Sequence, residues 1–130
     1  MAPSFLEHVN ITVSNPGKTA SLLCTLFGWR VRWFGDAKNG GTTYHVGSND
    51  TYLAVYAQDD AVKPGCDSYN TRGGLNHIGV VVDDLDEVET RVRAAGFTPH
   101  SHADYEPGLR FYFDDTDGIE YEVVSYTKGH

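Results

Sequence analysis

The feature that most constrains the fold of this chain is an internal repeat. Residues 7–16 (EHVNITVSNP) and 76–85 (NHIGVVVDDL) share a histidine, an alternating β-branched run, and a turn rich in Ser, Asn or Asp. Self-similarity of this kind indicates that one supersecondary unit occurs twice. We therefore expect two similar modules in tandem.

A helical pattern follows each of these strand-like segments. The spacing of apolar residues predicts helices over residues 17–27 and 85–95. Gly28 and Gly96 follow the two helices, and glycine readily adopts the left-handed conformation that ends many helices. The acidic run 83–87 is predicted to cap the second helix at its N-terminus, where negative charge is favourable, and not to bind calcium.

Three strand-like runs come after each helix. They lie near residues 30–34, 42–46 and 51–57 in the first half, and near 98–103, 109–113 and 119–126 in the second. Each half thus has the order β-α-β-β-β, and the predicted fold class is α+β, with two tandem βαβββ modules. We expect a single domain over residues 1–130, with module one at 5–57, a polar linker at 58–74 and module two at 75–127.

The acidic composition excludes several classes of function. The chain of 130 residues has a formal net charge of −8 and a pI near 5.0, whereas a nucleic-acid-binding protein needs a basic surface. No apolar run approaches the ~20 residues of a membrane span, and no secretory signal is apparent. We expect a cytoplasmic protein without nucleic-acid or membrane partners, in which Cys24 and Cys66 are reduced, although a disulfide between them is possible.

Ionisable side chains inside the apolar strands are the main candidates for chemistry. Alternation places His8, His77 and Glu122 on the faces of their sheets that the helices do not cover. Two imidazoles and one carboxylate can bind a divalent transition metal and leave its other positions open. The alternative is that each is an ordinary hydrogen-bonded residue of a strand. We predict a metal site formed by these three side chains.

Three segments together resemble the vicinal oxygen chelate superfamily, which contains glyoxalases, bleomycin resistance proteins and extradiol dioxygenases. They are residues 6–13 (LEHVNITV), 75–85 (LNHIGVVVDDL) and 110–123 (RFYFDDTDGIEYEV). The last is similar to the family's phenylalanine-rich strand, Asp-Pro-Asp-Gly turn and metal-binding glutamate, with Thr116 at the proline position. The resemblance implies curled sheets around a divalent metal, whose ligands come from the first and last strands of the modules.

The resemblance implies four ligand positions, and this chain departs from the family's pattern at one of them. Alignment of the last strands of the two modules places Ala54 opposite Glu122, so the carboxylate common in isomerising members is missing. Members with two histidines and one glutamate include ring-cleaving dioxygenases and fosfomycin-modifying thiol transferases. The resemblance thus implies an enzyme using Fe²⁺, Mn²⁺, Zn²⁺ or Ni²⁺ on a small oxygen-chelating substrate. Dioxygenase, lyase or isomerase, and thiol transferase subclasses stay open, and a metal-free binding protein of the bleomycin-resistance type is the alternative.

Several further side chains are expected to line the cleft. Tyr52, Tyr56, Tyr112 and Arg110 share the ligand face by alternation. The tyrosines are predicted to contact substrate, although large residues also favour half-buried strands. Arg110 suits an anionic substrate group, since guanidinium binds carboxylate or phosphonate in a bidentate way; the alternative is an exposed pair with Asp114 or Glu106.

Residues near the middle of module two are weaker candidates. His100, His102 and Tyr105 suit a lid or a proton-transfer group. Glu120 is expected to be a solvated carboxylate or to support the site from outside the ligand set, and not to be a fourth ligand. The family resemblance also implies a homodimer. Whether His8 joins His77 and Glu122 from its own chain or from a partner stays open.

Overall fold

The computed structural model describes residues 2–63, 67–105 and 108–127. The chain divides into two compact units, Met1–Val62 and Lys63–His130. Among the described residues, no helix has the length and apolar character needed to cross a bilayer.

The first unit contains one helix on a four-stranded sheet. Its elements are β1 (His8–Thr12), α1 (Pro16–Phe27), β2 (Arg30–Asp36), β3 (Thr42–Gly47) and β4 (Tyr52–Ala57), with a short 3₁₀ turn at Lys38–Gly40. The strand order is β1-β4-β3-β2, and β1 runs parallel to β4 while the other pairs are antiparallel. Because α1 packs on β3 and β4, the edge strand β1 is partly uncovered, and Val9 on this strand is exposed.

The second unit repeats this arrangement. Its elements are a 3₁₀ turn at Ser68–Asn70, β5 (Ile78–Val81), α2 (Leu85–Ala94), β6 (His100–Tyr105), β7 (Gly108–Asp114) and β8 (Glu120–Ser125). The strand order is β5-β8-β7-β6, with β5 parallel to β8. The predicted fold class is therefore confirmed: the protein is α+β, with two βαβββ modules.

Both helices have the capping residues that their sequences indicate, and their ends lie within one residue of those predicted. Asn15 and Asp84 cap α1 and α2, each accepting a backbone hydrogen bond of 3.1 Å through Oδ1. Gly28 ends α1 with φ at 69°. The second helix ends one residue earlier than predicted, at Ala94, and Gly96 follows with φ at 95°. The amide of Phe97 donates to the carbonyl of Val92 at 3.1 Å, which completes a Schellman turn.

A buried aromatic layer fixes which face of the second sheet is free. Phe111, Phe113, Tyr121 and Val123 are fully buried, and the rings of Phe113 and Tyr121 stack at 5.1 Å. Because strand side chains alternate, a shift of register by one residue would bring the polar neighbours of these residues into the core. Burial of this layer therefore holds the intervening residues of β7 and β8 on the opposite face.

The environment of Cys24 bears on the expected redox state. Its side chain is half-buried on α1, and burial raises the pKa of its thiol, which lowers its reactivity. Cys66 lies outside the described residues, so the absence of a disulfide between the two stays a prediction.

The turn before β8 provides a test of stability. The buried Asp115 accepts backbone hydrogen bonds from Asp117 at 2.9 Å and Ile119 at 3.0 Å through Oδ1. Asp115→Ala leaves both amides without this acceptor, and we expect it to lower the free energy of unfolding by about 1–3 kcal/mol. Asp115→Asn retains a carbonyl oxygen and is expected to cost less. Urea denaturation of both variants measures the difference, and equal losses would contradict this account of the turn.

The same residue predicts a pH dependence. Desolvation raises the pKa of Asp115 above its ordinary value of 3.8, against the backbone hydrogen bonds that lower it. A carboxyl whose pKa is higher in the folded state contributes stability below its unfolded pKa, and this is lost as pH rises through the folded pKa. The stability difference between wild type and Asp115→Asn should therefore shift in favour of the variant as pH rises from about 4 to 7. A difference that does not change with pH would contradict the expectation.

Candidate functional site

The helix-free face of the second sheet brings His77 and Glu122 together. His77 directly precedes β5, and Glu122 lies on β8 opposite Gly79. The Nε2 atom of His77 is 3.1 Å from Oε1 of Glu122. An imidazole and a carboxylate from neighbouring strands thus point at one location.

The other ring nitrogen of His77 contacts a tyrosine from the linker. The hydroxyl of Tyr69, in the 3₁₀ turn, lies 3.1 Å from Nδ1 of His77 and donates to Oε1 of Glu120 at 2.5 Å. This hydrogen bond to Glu120 raises the pKa of Tyr69 to about 12, so the phenol stays protonated at neutral pH. Oε1 of Glu120 also lies 3.7 Å from Nδ1 of His77, so Glu120 interacts with His77 directly as well as through Tyr69.

Arg110 contacts Glu122. Its Nη1 donates to Oε2 of Glu122 at 2.6 Å, and the two side chains are only 12% and 13% exposed. The contact arises because Arg110 lies on β7 diagonally across from Glu122, on the face free of the helix. Among the described residues the ion pair of Arg110 is with Glu122 and not with Asp114; Glu106 lies outside those residues. The role of Arg110 as an anion clamp stays a prediction.

The donor set of this cluster fits a divalent transition metal. Imidazole nitrogen and carboxylate oxygen are common ligands of such metals, and bond lengths of about 2.1 Å at a right angle separate two donors by about 3.0 Å. The 3.1 Å between Nε2 of His77 and Oε1 of Glu122 agrees with that separation. The remaining atoms, Nδ1 and Oε2, are held by Tyr69 and Arg110, which orients both potential ligands.

Tyr112 borders the same cluster. It pairs with Glu122 across β7 and β8, and its ring meets that of His77 edge-on at 5.6 Å. On its other side it stacks against His100 at a ring distance of 6.2 Å. Its position suits contact with a molecule bound beside His77 and Glu122.

A bulge in β6 separates the histidines of that strand. Ser101 has φ at 55°, and the register shifts between His100 and Ala103. As a result His100 lies against Tyr112 on the helix-free face, whereas His102 Nε2 lies 3.0 Å from Glu89 on α2. The structure therefore places His102 on the face opposite His77. The side chain of Tyr105 is outside the described residues.

His100 also belongs to a second group with metal-ligand chemistry. One donor atom each from His100, Asp114 and Glu120 lies within 4.8 Å of the others. Asp114 is 53% exposed, and its Oδ2 lies 3.3 Å from Nε2 of His100. Exposed groups of this kind are common without a metal. Substitutions in this group therefore serve as controls for substitutions of the predicted ligands.

In the first unit, His8 is held in a similar manner. Its Nδ1 lies 2.9 Å from Oε1 of Glu7, and its ring stacks on Tyr52 at 4.8 Å. The hydroxyl of Tyr52 in turn donates to the same oxygen of Glu7 at 3.4 Å. As with His77, Nδ1 has a partner, and Nε2 is the nitrogen left to act as a ligand.

A concave cavity of about 680 Å³ lies beside His8 on the helix-free face of the first sheet. Its wall includes Tyr52, Ala54, Tyr56 and His45. The rings of His45 and Tyr52 stack at 4.5 Å, and burial lowers the pKa of His45, which favours its neutral form. The Tyr56 hydroxyl is engaged at the rim, where it lies within hydrogen-bond distance of a backbone carbonyl and a side-chain oxygen.

The predicted site residues thus fall into two clusters. Tyr52 and Tyr56 accompany His8 in the first unit, whereas Arg110 and Tyr112 accompany the other two predicted ligands, His77 and Glu122, in the second. A site of three ligands drawn from both units stays a prediction. Sequence reasoning missed Tyr69 and Glu7, since neither lies inside a strand where alternation assigns a face; the charge of Glu7 beside His8 was the one available signal.

Comparison with known proteins agrees with this architecture. The sequence profile of the Glyoxalase/Bleomycin resistance protein/Dioxygenase superfamily matches residues 5–123. No curated protein sequence matches the chain significantly. A glyoxylase/bleomycin resistance protein/dioxygenase domain from a Frankia species is similar in structure, with a TM-score of 0.79 at 22% identity, covering 95% of this chain and 98% of that one.

Two other structures, both of proteins linked to antibiotics, are similar to this chain. A mutant of the fosfomycin resistance protein FosX from Listeria monocytogenes, complexed with Mn(II) and dihydroxypropylphosphonic acid, has a TM-score of 0.70 at 19% identity, covering 95% of this chain and 93% of its own. The antibiotic-binding protein TnmS3 from a Streptomyces species has a TM-score of 0.72 at 19% identity, covering 96% and 98%. At these identities the likeness establishes the fold, while the profile match extends over nearly the whole sequence. The chain therefore belongs to the glyoxalase/bleomycin resistance protein/dioxygenase superfamily.

Proposed function

We propose that this protein is a divalent-metal-dependent enzyme acting on a small substrate whose oxygens chelate the metal, with His8, His77 and Glu122 as the protein ligands. The observation that supports it most is the separation of 3.1 Å between Nε2 of His77 and Oε1 of Glu122. Each of these groups is held through its other polar atom, as metal ligands usually are.

The neighbouring residues have distinct parts in this proposal. A metal held by His8, His77 and Glu122 would polarise a substrate oxygen and stabilise negative charge that develops there. Arg110 holds Oε2 of Glu122, so that Oε1 is directed away from it. Tyr112 borders the ligand pair, and Tyr52 and Tyr56 line the cavity next to His8, where they orient the substrate. The small, buried Ala54 contributes no fourth ligand, which leaves more positions to substrate.

The proposed ligand set indicates which metals suit the site and is compatible with three reaction subclasses. Two histidines and one carboxylate suit Fe²⁺ or Mn²⁺ with open positions, while Zn²⁺ and Ni²⁺ also bind imidazole and carboxylate. The Mn(II) in the structurally similar FosX makes Mn²⁺ the first metal to test. Dioxygenase, lyase or isomerase, and thiol transferase activities are all consistent with this set.

A second candidate function is sequestration of a small molecule without metal. The cavity of about 680 Å³ with its stacked His8, Tyr52 and His45 rings favours this alternative, because such rings bind flat apolar ligands. TnmS3, with the same fold, is described as an antibiotic-binding protein. Retention of His8, His77 and Glu122 argues for the enzyme.

One titration series separates these functions. Metal-free protein is titrated with each of the four metals, and each loaded form is assayed for oxygen uptake, thiol transfer and isomerisation. Trp33, whose ring lies 5.1 Å from His45, reports ligand binding by quenching of its fluorescence. The enzyme proposal predicts metal binding and a reaction that depends on it. Quenching by small molecules without any metal binding would instead support sequestration.

We also propose that the protein acts as a cytoplasmic homodimer. The dimer is the prediction made from the family resemblance, whereas the cytoplasmic location is the prediction made from composition. Static light scattering of the purified protein tests the dimer. A mass near twice the 14.3 kDa of one chain is expected, and a mass near that of one chain would contradict the dimer.

A further inference from the structure

The linker turn that contains Tyr69 has contacts which the proposed function does not yet explain. Tyr69 is 57% exposed, so its burial does little to stabilise the fold. Its hydroxyl nevertheless lies between two groups of the second sheet, 2.5 Å from Oε1 of Glu120 and 3.1 Å from Nδ1 of His77. An exposed tyrosine with two such partners suggests a role in orienting one of them.

The direction of these hydrogen bonds follows from the chemistry of the three groups. An ionised carboxylate only accepts hydrogen bonds, so the Tyr69 hydroxyl donates its single proton to Glu120. The phenol oxygen is then left as an acceptor toward His77. Nδ1 of His77 must therefore carry a proton to make the contact of 3.1 Å.

The consequence appears at the opposite side of the imidazole ring. With the proton on Nδ1, a neutral His77 presents the lone pair of Nε2 to Oε1 of Glu122 at 3.1 Å. Two acceptors at this distance repel each other unless a cation or a proton lies between them. The tautomer that Tyr69 favours is thus the one in which Nε2 binds a metal.

We propose that Tyr69 and Glu120 are positioning residues, which act as a relay that holds His77 in the Nδ1-protonated tautomer and so directs Nε2 toward the metal position beside Glu122. The proposal rests on the proposed metal-binding function and adds to it two residues that touch neither metal nor substrate. Partners of this kind usually change metal affinity by about 10–100-fold when removed.

The pair Glu120→Gln and Glu120→Leu provides a matched test. Glutamine keeps an oxygen that accepts from Tyr69, so the Tyr69 hydroxyl can still donate to residue 120 and accept from Nδ1 of His77. Leucine has no acceptor, so the Tyr69 hydroxyl is free to donate to Nδ1 of His77. That hydrogen bond favours the tautomer with the proton on Nε2, which cannot bind a metal through that nitrogen. We expect Glu120→Leu and Tyr69→Phe to weaken Zn(II) binding by about 10–100-fold, and Glu120→Gln to weaken it by less than about 3-fold on the same scale.

Two further measurements exclude a merely structural role. Melting temperatures of the variants should stay close to that of the wild type, since Tyr69 is exposed. In the Zn(II)-loaded protein, nitrogen-15 NMR should show a His77 Nδ1 proton protected from exchange, and Tyr69→Phe should remove that protection.

The outcomes separate this inference from the proposed function. Zn(II) binding by the wild type that is unchanged in Tyr69→Phe and Glu120→Leu would overturn the relay alone. Equal weakening of Zn(II) binding by Glu120→Gln and Glu120→Leu would also overturn the relay. The negative charge of Glu120, and not the direction of the Tyr69 hydrogen bond, would then be what affects Zn(II) binding. No binding by the wild type would overturn the proposed function itself.

Discussion

Replacing Glu122 by alanine is expected to lower the affinity for Mn(II) by more than about 100-fold. Loss of a residue outside the ligand set commonly costs about 10–100-fold, and removing a charged ligand should exceed that range. Oε1 of Glu122, 3.1 Å from Nε2 of His77, is the atom that the change removes. Isothermal titration calorimetry of metal-free protein measures the loss.

The control for this prediction separates binding from folding. Glu122→Ala also removes the partner of Arg110, whereas Glu122→Gln keeps an oxygen that accepts from Nη1 of Arg110. We expect Glu122→Gln to lose less stability than Glu122→Ala, because the amide oxygen still accepts from Arg110. It should still bind Mn(II) weakly, since an amide is a poorer ligand than a carboxylate. Affinity that is unchanged in both variants would exclude Glu122 as a ligand.

Replacing Arg110 by methionine is expected to lower the free energy of unfolding by about 2–3 kcal/mol, because Glu122 keeps its charge in a mostly buried position without a partner. The two side chains are 12% and 13% exposed, so solvent screens their contact less than that of a surface pair. Methionine approximates the apolar stem of arginine, which limits loss of packing. Equilibrium denaturation in urea measures the change.

A double mutant identifies the cause of that loss. Combining Arg110→Met with Glu122→Gln removes both charges, and most of the lost stability should return because no unpaired charge remains. If Arg110→Met is neutral, the ion pair contributes nothing measurable, and Arg110 is available to bind an anionic substrate as the sequence first suggested. That result would shift its place in the mechanism from holding Glu122 to contacting the substrate.

The sequence predicted the fold well because the pattern of apolar residues indicates the helices and strands and the face that each of them buries. The repeated histidine strands, the helical spacing and the turn residues are local signals, and strand alternation then assigns faces. The buried layer of Phe111, Phe113 and Tyr121 shows why: these residues take one face, so Tyr112 and Glu122 must take the other. Two of the four helix boundaries agree with expectation, and the other two differ from it by one residue.

The sequence could not predict contacts that depend on irregular backbone. Ser101 adopts a left-handed conformation within β6, and the resulting bulge sends His100 and His102 to opposite faces although simple alternation places them together. Tyr69 reaches His77 from a 3₁₀ turn in a polar segment, where no periodicity assigns a direction. Arg110 was placed on the correct face, but its choice of Glu122 over other acidic groups required three-dimensional geometry.

Elemental analysis after reconstitution with Mn(II), Fe(II), Zn(II) and Ni(II) is the most direct test of the proposed metal site. Wild type, His8→Ala and Asp114→Asn are compared in parallel, the last because Asp114 belongs to the other group with metal-ligand chemistry. The account predicts near one metal per chain in wild type and Asp114→Asn, and little in His8→Ala. Absence of metal from the wild type under all four conditions, or loss in Asp114→Asn with retention in His8→Ala, would contradict it.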